Sequence, residues 1–252
     1  MTPVEVGAIF LAGVWAGTIN TVVGSGTLIT FPTLLAFGVP PVTANVSNTI
    51  GLVPGSVSGA IGYRRELVGQ RSRILRLCSA SCVGSIVGAV LLLALPSGAF
   101  SAIVPVLVLL GLVLVIAQPR ISEWVALRHD AVPHHGLWWV WPAIAVTGVY
   151  GGYFGAAQGV LLMAVLGIGI DETLQRLNGV KNILGAVVNA VSGLIFAFVA
   201  DVDWTIVLII GLGSVIGGQI GAHWGRKLPA AWLRAVIVTV GVAALATFVV
   251  KG

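Results

Sequence analysis

The sequence predicts an all-α polytopic membrane protein built from two inverted-topology repeats, and three observations lead to this prediction. Only 8% of the 252 residues are charged, whereas soluble domains carry about 25%. The mean hydropathy is +1.06, and apolar segments follow one another along almost the whole chain. The two halves also share an ordered series of small and polar residues. Because so few charges cannot cover a water-soluble surface, the chain is expected to lie in a bilayer.

Ten apolar segments can be drawn from the sequence. We expect about eight of them to cross the membrane as helices and two to form short half-helices. Segments 27–38 and 159–169 have roughly 11 residues each, which reach only about half of a ~30 Å hydrocarbon core. Each follows a glycine-rich break, "VVGSGTL" or "YFGAAQG". The predicted segments are 4–23, 27–38, 42–62, 74–95, 100–117, 137–155, 159–169, 173–200, 204–224 and 231–250.

An internal duplication relates the two halves. The alignment divides the chain into a first membrane repeat (1–117), a cytoplasmic linker (118–136) and a second membrane repeat (137–252). Short glycine-broken segments at matching places in two repeats point to a transport site in membrane proteins. Whether 4–38 and 137–169 each cross twice or form re-entrant hairpins stays open at this stage. A shift of 134 places Asn48, Gly51 and Ser58 on Asn182, Gly185 and Ser192.

The loops that match between the repeats carry opposite charge. The loop 63–76 has five arginines, whereas its counterpart "ADVDW" has two aspartates and no base. Cytoplasmic loops are enriched in basic residues, so the repeats are expected to have opposite orientations, with 63–76 inside. Arg128, Arg226 and Lys227 would then also be cytoplasmic. The formal charge of +5 is explained by orientation signals rather than by binding of nucleic acid.

Polar residues recur in the segment 173–200 at helical spacing. Asn178, Asn182, Gly185, Asn189 and Ser192 form one face of a helix, and Lys181 borders that face. We interpret Asn189 and Ser192 as residues that hold helices together. The same interpretation applies to the glycine series Gly84–Gly88 and Gly213–Gly217–Gly221. The first repeat carries a weaker stripe of Asn48, Gly51, Gly55 and Ser58.

Lys181 is the strongest functional signal in the sequence. A lysine at the centre of a membrane helix costs about 2.5–3.5 kcal/mol to insert, so such residues usually serve a function. Two simpler explanations are that Lys181 extends to the inner surface or pairs with Asp171 or Glu172. A lysine, several amides and two helix N-termini favour an anion site. The candidate substrate-binding residues are Lys181, Asn182, Asn48, Asn178, Gln158, Asn20, Thr21, Gly24, Ser25, Gly26, Asn45 and Ser47.

The residues from Ala16 to Tyr63, "AGTINTVVGSGTLITFPTLLAFGVPPVTANVSNTIGLVPGSVSGAIGY", resemble the TauE/SafE (sulfite exporter) family of bacterial membrane proteins. The run "TGVYGGYFGAAQGVLLMAVLGIG" carries the resemblance in the second half. It implies export of sulfite or an organosulfonate across the bacterial cytoplasmic (inner) membrane. The family's richer glycine cluster is reduced here to Gly24-Ser25-Gly26 and Gly155-Ala156-Ala157-Gln158-Gly159, so the specificity could differ.

Together these features predict a secondary transporter of a small anion that works by alternating access at a midplane site. The alternatives are a passive anion channel and an importer of another small anionic metabolite. Neither an enzymatic activity nor a cofactor or metal is expected, because the sequence has no nucleotide-binding motif, zinc motif or intramembrane acid–histidine cluster. The expected partners are the anion, the lipid bilayer and a coupling proton or ion, and a homodimer is compatible with the sequence.

Overall fold

The computed structural model describes residues 1–126, 137–225 and 230–251, and these residues form ten α-helices and no strand. Two of the segments that the sequence predicts to be cytoplasmic lie outside the described residues. They are 127–136 of the linker, which includes Arg128, and 226–229, which includes Arg226 and Lys227. The first half contains α1 (Pro3–Val22), α2 (Thr27–Ala36), α3 (Pro41–Gly62), α4 (Arg71–Ala94) and α5 (Ser97–Ala126). The second half contains α6 (Val140–Tyr153), α7 (Gln158–Gly169), α8 (Leu174–Val199), α9 (Trp204–Trp224) and α10 (Ala230–Lys251).

The all-α membrane architecture is confirmed. Five of the described helices, α1, α4, α5, α8 and α9, are long and apolar enough to cross a membrane. Helix α3 has 22 residues, but its asparagines, serines and threonines make it less apolar. One boundary differs clearly from the prediction: α5 continues through Pro119 to Ala126 instead of ending at residue 117. The first part of the predicted linker is therefore helical.

Side chains at several helix starts explain where those helices begin. The Thr2 hydroxyl accepts a hydrogen bond from Glu5 N, and the Glu5 carboxylate accepts one from Thr2 N, a capping box that starts α1. Asp203 caps α9 by accepting from the backbone N–H groups of Thr205 and Ile206. These caps satisfy backbone donors that have no partner within the helix.

Helices α6 and α7 form a hairpin that returns to the end where it started. Leu137 N, just before α6, donates to the carbonyl oxygen of Gly169 at the end of α7, with a distance of 3.0 Å. The two helices have 14 and 12 residues, and at ~1.5 Å per residue neither covers a ~30 Å core. In the first half, the 10-residue α2 packs back against α1 in the same way. For 137–169 these lengths favour a re-entrant hairpin, whereas α1, with 20 residues, is long enough to cross the membrane.

Glycines allow the long helices to pack with their backbones in contact. A Cβ atom on Gly217 of α9 would lie 2.0 Å from the carbonyl oxygen of Val14 in α1. One on Gly84 of α4 would lie 2.0 Å from the carbonyl oxygen of Ala145 in α6. The prediction that these glycine series serve helix packing is confirmed. In lipid, contact between apolar helix surfaces is not driven by the hydrophobic effect, so helices associate through close packing of this kind.

The main helix contacts keep the same pattern when the two halves are exchanged. Helix α1 packs on α9, and its counterpart α6 packs on α4, the counterpart of α9. The contacts α3–α9 and α8–α4 form a second pair, and α2–α10 and α7–α5 form a third. Helices α3 and α8 pack on each other and so occupy the centre of the arrangement.

An ionic cluster joins the start of α4 to the loop before α8. The buried Arg73 donates to Glu172 at 3.1 Å, and Arg176 donates to the same carboxylate at 2.8 Å. Arg176 also donates to the carbonyl oxygen of Val68. Burial by itself raises the pKa of Glu172, but the hydrogen bonds and charges of the two arginines outweigh it and hold the pKa below its usual value. Glu172 is thus the partner of these arginines and forms no ion pair with Lys181.

We expect Glu172→Gln to lower the free energy of unfolding by about 1–3 kcal/mol at neutral pH, because charged hydrogen bonds to Arg73 are lost. A carboxyl whose pKa is lowered by folding stabilises the protein above its unfolded pKa and loses that effect as pH falls through the folded pKa. The difference between wild type and variant should therefore shrink below about pH 4.5. Thermal unfolding in detergent across pH measures it. The exposed neighbour Asp171→Asn is the control, and equal destabilisation by both variants would contradict the prediction.

Candidate functional site

The two glycine-rich breaks meet each other inside the protein. The backbone N–H of Gly159 donates to the carbonyl oxygen of Gly24 at 3.0 Å. Gly24 and Gly155 have φ angles of +86° and +76°, and Ala157 has +59°, so the chain reverses through left-handed conformations at both breaks. Each break is followed directly by a short helix, α2 or α7. The first turns of these two helices are thereby held at the same point in the fold.

A small cavity of about 30 Å³ lies at this point, with room for about two water molecules. It is bounded by the end of α1, the starts of α2 and α7, and the central helices α3 and α8. Most of its lining side chains can donate or accept hydrogen bonds. The lining residues are Asn20, Thr21, Gly24, Thr27, Ser56, Gly155, Gln158, Gly159, Leu162, Lys181, Asn182, Gly185 and Asn189.

Lys181 brings a positive charge to the wall of this cavity. Its side chain is only 2% exposed, and Nζ donates to the carbonyl oxygens of Thr21 at 3.1 Å and Asn20 at 3.3 Å. These carbonyls belong to the last turn of α1, the negative end of that helix's dipole. No carboxylate of the described residues lies within 4.0 Å of Nζ. An ammonium has three donors, so one remains for a ligand.

Two amide groups of the cavity wall have donors without a partner. Asn182 Nδ2 and Gln158 Nε2 are buried, and neither forms a hydrogen bond within the part of the chain that the structure describes. A buried unsatisfied donor costs about 1–3 kcal/mol, so natural proteins rarely leave one without a reason. Gln158 is the first residue of α7 and Asn182 lies next to Lys181. A ligand with acceptor atoms in the cavity would satisfy both groups.

The ends of three helices give the cavity its electrostatic character. Helices α2 and α7 direct their N-termini towards it through Thr27 and Gln158, and N-termini carry a partial positive charge. The C-terminal carbonyls of α1 hold the Lys181 ammonium. The resulting site offers a charge and unpaired N–H donors, which suits a small anion.

Six of the twelve predicted site residues line this cavity: Asn20, Thr21, Gly24, Gln158, Lys181 and Asn182. Asn178 lies just beyond it and donates to the carbonyl oxygen of Thr21 at 3.3 Å. Ser25 and Gly26 complete the first break, where Gly26 N donates to Asn20 Oδ1. These three residues support the wall of the cavity without lining it.

The three asparagine and serine candidates of α3 lie elsewhere, which corrects the expectation that Asn48 and Asn182 would face one site. Asn48 interacts with the hydroxyls of Thr30 and Thr27. Asn45 donates to the carbonyl oxygen of Tyr153 at 3.0 Å, and Ser47 accepts from Asp203 N at 2.9 Å. Each of the three side chains thus bonds to a neighbouring helix or loop, although Asn45 Oδ1 is buried without a partner among the described residues. The polar stripe of α3 faces α9 and α2, whereas the middle of the α8 stripe, from Asn182 to Asn189, lines the cavity.

Sequence reasoning missed several lining residues. Asn189, interpreted as a packing residue, lines the cavity and donates to Ser56 Oγ at 3.2 Å. Asn20 Nδ2 donates to the same hydroxyl at 3.4 Å, so Ser56 joins α1, α3 and α8. The helical stripe of α8 could have identified Asn189 and Gly185. Nothing in the sequence singled out Ser56, which lies off the polar stripe of α3. Ser192, by contrast, packs as expected and donates to the Ser85 carbonyl oxygen of α4.

Comparison with known proteins finds relatives that are named probable membrane transporters. The chain is 27% identical over 245 residues to the probable membrane transporter protein YfcA of Escherichia coli K12, covering 95% of this chain and 88% of the relative. It is 26% identical over 239 residues to the probable membrane transporter protein ORF9 of a Sinorhizobium species, covering 93% and 88%. A Haemophilus influenzae probable membrane transporter protein is 23% identical over 214 residues, covering 85% and 82%. No solved structure matches the chain significantly.

The family assignment rests on a match along nearly the whole chain. Residues 9–248 match the family described as "Sulfite exporter TauE/SafE". The match includes both glycine breaks, Lys181 and every other residue of the cavity wall. The chain is therefore an integral membrane transporter that belongs to the TauE/SafE family.

Proposed function

We propose that this protein is a secondary transporter, working as an exporter, of a small oxyanion, with sulfite or a small organosulfonate as substrate. The observation that carries the proposal is the buried Lys181 ammonium, which has no carboxylate partner among the described residues and stands beside unpaired N–H donors. An anion in the cavity would neutralise the ammonium and bond to Asn182 and Gln158. The description of the family as sulfite exporters supports this substrate class. The small volume of about 30 Å³ favours the smaller anions of the class.

The transport step we propose is alternating access between two inverted repeats in the bacterial inner membrane. The helices of the first half make the same contacts as their counterparts in the second half, and this supports such a repeat. The opposite charges of the loops 63–76 and 200–204 support opposite orientations. In transporters of this kind the substrate lies between repeats, at interrupted helices, and one bundle moves against the other. A coupling proton or ion, or the substrate's own gradient, drives the movement.

Counterflow in liposomes tests this function. Vesicles containing the purified protein and loaded with unlabelled sulfite should accumulate labelled sulfite from the outside transiently and saturably. A panel of sulfite, sulfoacetate, taurine and acetate gives the specificity. Conductance that scales with voltage, without counterflow, would indicate the rival passive channel and would contradict alternating access. Counterflow of acetate alone would overturn the proposed substrate class.

Replacing Asn182 by alanine should weaken sulfite binding about tenfold without reducing stability. The variant removes a donor that has no protein partner, so the free energy of unfolding should stay the same or rise. The loss of one hydrogen bond to a charged ligand, about 1.5 kcal/mol, accounts for the tenfold effect. Binding of sulfite by calorimetry, together with thermal unfolding, measures both quantities.

The matched control is Asn45→Ala, which removes a buried asparagine whose amide donates to Tyr153 O outside the cavity. It should lower stability and leave sulfite affinity unchanged. Equal affinity losses in the two variants would show that Asn182 has no specific part in binding.

Gly185→Ala should alter substrate size preference while stabilising the fold. A Cβ atom at Gly185 has no neighbour within 4 Å, and Gly185 lines the cavity. Alanine in place of glycine within a helix adds up to about 1 kcal/mol of stability. The methyl group narrows the cavity, so uptake of sulfoacetate should fall more than uptake of sulfite. An unchanged ratio of the two uptake rates would argue against this cavity as the substrate site.

A further inference from the structure

Two neighbouring cavities at the end of α3 share one residue, Arg64. The first, about 370 Å³, lies between the ends of α3 and α9 and is lined by Arg64, Arg65, Gln219 and His223, with Glu66 as its one acid. The second, about 430 Å³, is a groove between α3 and α8, lined by aliphatic side chains such as Val57, Ile61, Ile183 and Val187. Neither belongs to the central cavity described above.

The groove has the character of a surface that faces lipid chains. Its exposed surface is apolar throughout, so Arg64 contributes its hydrocarbon stem there. Val57 and Ile61 on its wall are 44% and 51% exposed. The groove follows about the last turn and a half of α3, from Val57 towards its end at Gly62, roughly 8 Å at ~1.5 Å per residue, and continues to Arg64 just beyond the helix. An extended hydrocarbon chain fits such a shape.

The basic cavity lies at the level where lipid headgroups begin. Helix α3 ends at Gly62 and α9 ends at Trp224, whose side chain is 56% exposed. Exposed tryptophans at helix ends mark the membrane–water interface. Two arginines and a histidine, against one glutamate, give the cavity donors and positive charge suited to a phosphate group, while the Gln219 amide donates to Ser58 in its wall.

We propose that these two cavities together form a binding site for one anionic phospholipid, with its phosphate in the Arg64–Arg65 cavity and an acyl chain in the groove between α3 and α8. Arg64 lies where the two cavities meet, so its hydrocarbon stem would contact the acyl chain of the lipid while its guanidinium group binds the phosphate. Basic pockets beside membrane helices recognise anionic headgroups in this manner. Because the groove lies on the outside of α3 and α8, the lipid would contact the helices that carry Ser56 and Asn189 in the central cavity.

Lipid binding to the full-length protein in detergent tests the proposal. Native mass spectrometry with phosphatidylglycerol and phosphatidylcholine of identical chains should show phosphatidylglycerol retained at least about tenfold more strongly. Arg64→Gln should remove that preference, since one charged hydrogen-bonding partner is worth roughly tenfold or more in affinity. Ala190→Leu, which fills the groove without changing charge, should weaken binding of both lipids. Arg71→Gln is the control, because this exposed arginine of the same region lines neither cavity.

Four outcomes would overturn the proposal. Equal retention of the two lipids, or equal effects of Arg64→Gln and Arg71→Gln, would show that no specific headgroup site exists. Competition by glycerol phosphate at the same concentration as the lipid, with no effect of Ala190→Leu, would assign the basic cavity to a soluble oxyanion. Loss of a dimer in Ala190→Leu, with lipid binding unchanged, would assign the groove to a second copy of the chain.

Discussion

Replacing Lys181 by methionine is expected to reduce anion affinity by at least about a hundredfold and to leave the fold intact. At ~4 Å and an effective dielectric constant of about 20, the attraction between an ammonium and an anion is about 4 kcal/mol. Losing that attraction corresponds to two to three orders of magnitude in the dissociation constant. Calorimetric titration of the purified protein with sulfite measures the affinity. Counterflow should disappear in the same variant.

The fold should tolerate this substitution for a specific reason. Methionine has nearly the length of lysine, and removing a buried charge also removes its cost of desolvation. The Thr21 carbonyl oxygen keeps a donor, because Asn178 Nδ2 lies 3.3 Å away. The unfolding temperature should therefore change little. Unchanged sulfite affinity in a folded Lys181→Met protein would remove the basis of the proposed site.

Arg176→Met is the matched control for charge. Arg176 lies on the same helix as Lys181, but its side chain is 31% exposed and is paired with Glu172 outside the cavity. Its loss should affect stability and leave sulfite affinity within about twofold of wild type, since surface charges are screened by salt. If both variants lost affinity equally, the effect would be one of net charge rather than of a built site.

The sequence was sufficient to predict the fold class and most helix positions. The length of an apolar segment indicates whether a helix can span the bilayer, and the glycine breaks mark where a helix is interrupted. Helix α9 was predicted at its observed bounds, Trp204–Trp224. The end of α5 was missed because Gln118 and Pro119 resemble a stop signal, whereas the helix continues past them to Ala126. Re-entrant hairpins could not be distinguished from double crossings, since both leave the next loop on the same side.

For the site, charge proved more informative than polarity. Lys181 stood out because an intramembrane base is costly, and it does line the central cavity. The asparagines of α3 and α8 look alike in sequence, yet only Asn182 and Asn189, both of α8, line the cavity. A polar stripe predicts that one face of a helix lies inside the protein. Whether that face contacts another helix or the cavity depends on tertiary packing, which the sequence of the helix does not show. Gly55 of α3 lies against Ser214 of α9, and this contact turns the stripe of α3 away from the cavity.

The second large effect concerns the contact between the breaks. Gly159→Ala is expected to abolish transport and to lower the free energy of unfolding by about 1–3 kcal/mol or more. A Cβ atom at Gly159 would lie 2.4 Å from the Cα atom of Gly24, which is backbone and cannot rotate away. Gly24 itself has a φ of +86°, so its local conformation has few alternatives. The breaks must therefore separate by about 1 Å, and the 3.0 Å hydrogen bond from Gly159 N to Gly24 O is lost.

Transport should fail in this variant before the fold does, because the cavity depends on that contact. The first turns of α2 and α7 are held together where the breaks meet, and a misplacement of about 1 Å is enough to disrupt a binding site. Gly185→Ala provides the control: it adds the same methyl group to the wall of the same cavity, at a position with no neighbour within 4 Å. Thermal unfolding and sulfite counterflow of the two variants should diverge: Gly185→Ala should be at least as stable as wild type and active, whereas Gly159→Ala should fold with lower stability and be inactive. Similar behaviour of the pair would mean that the Gly24–Gly159 contact does not organise the site.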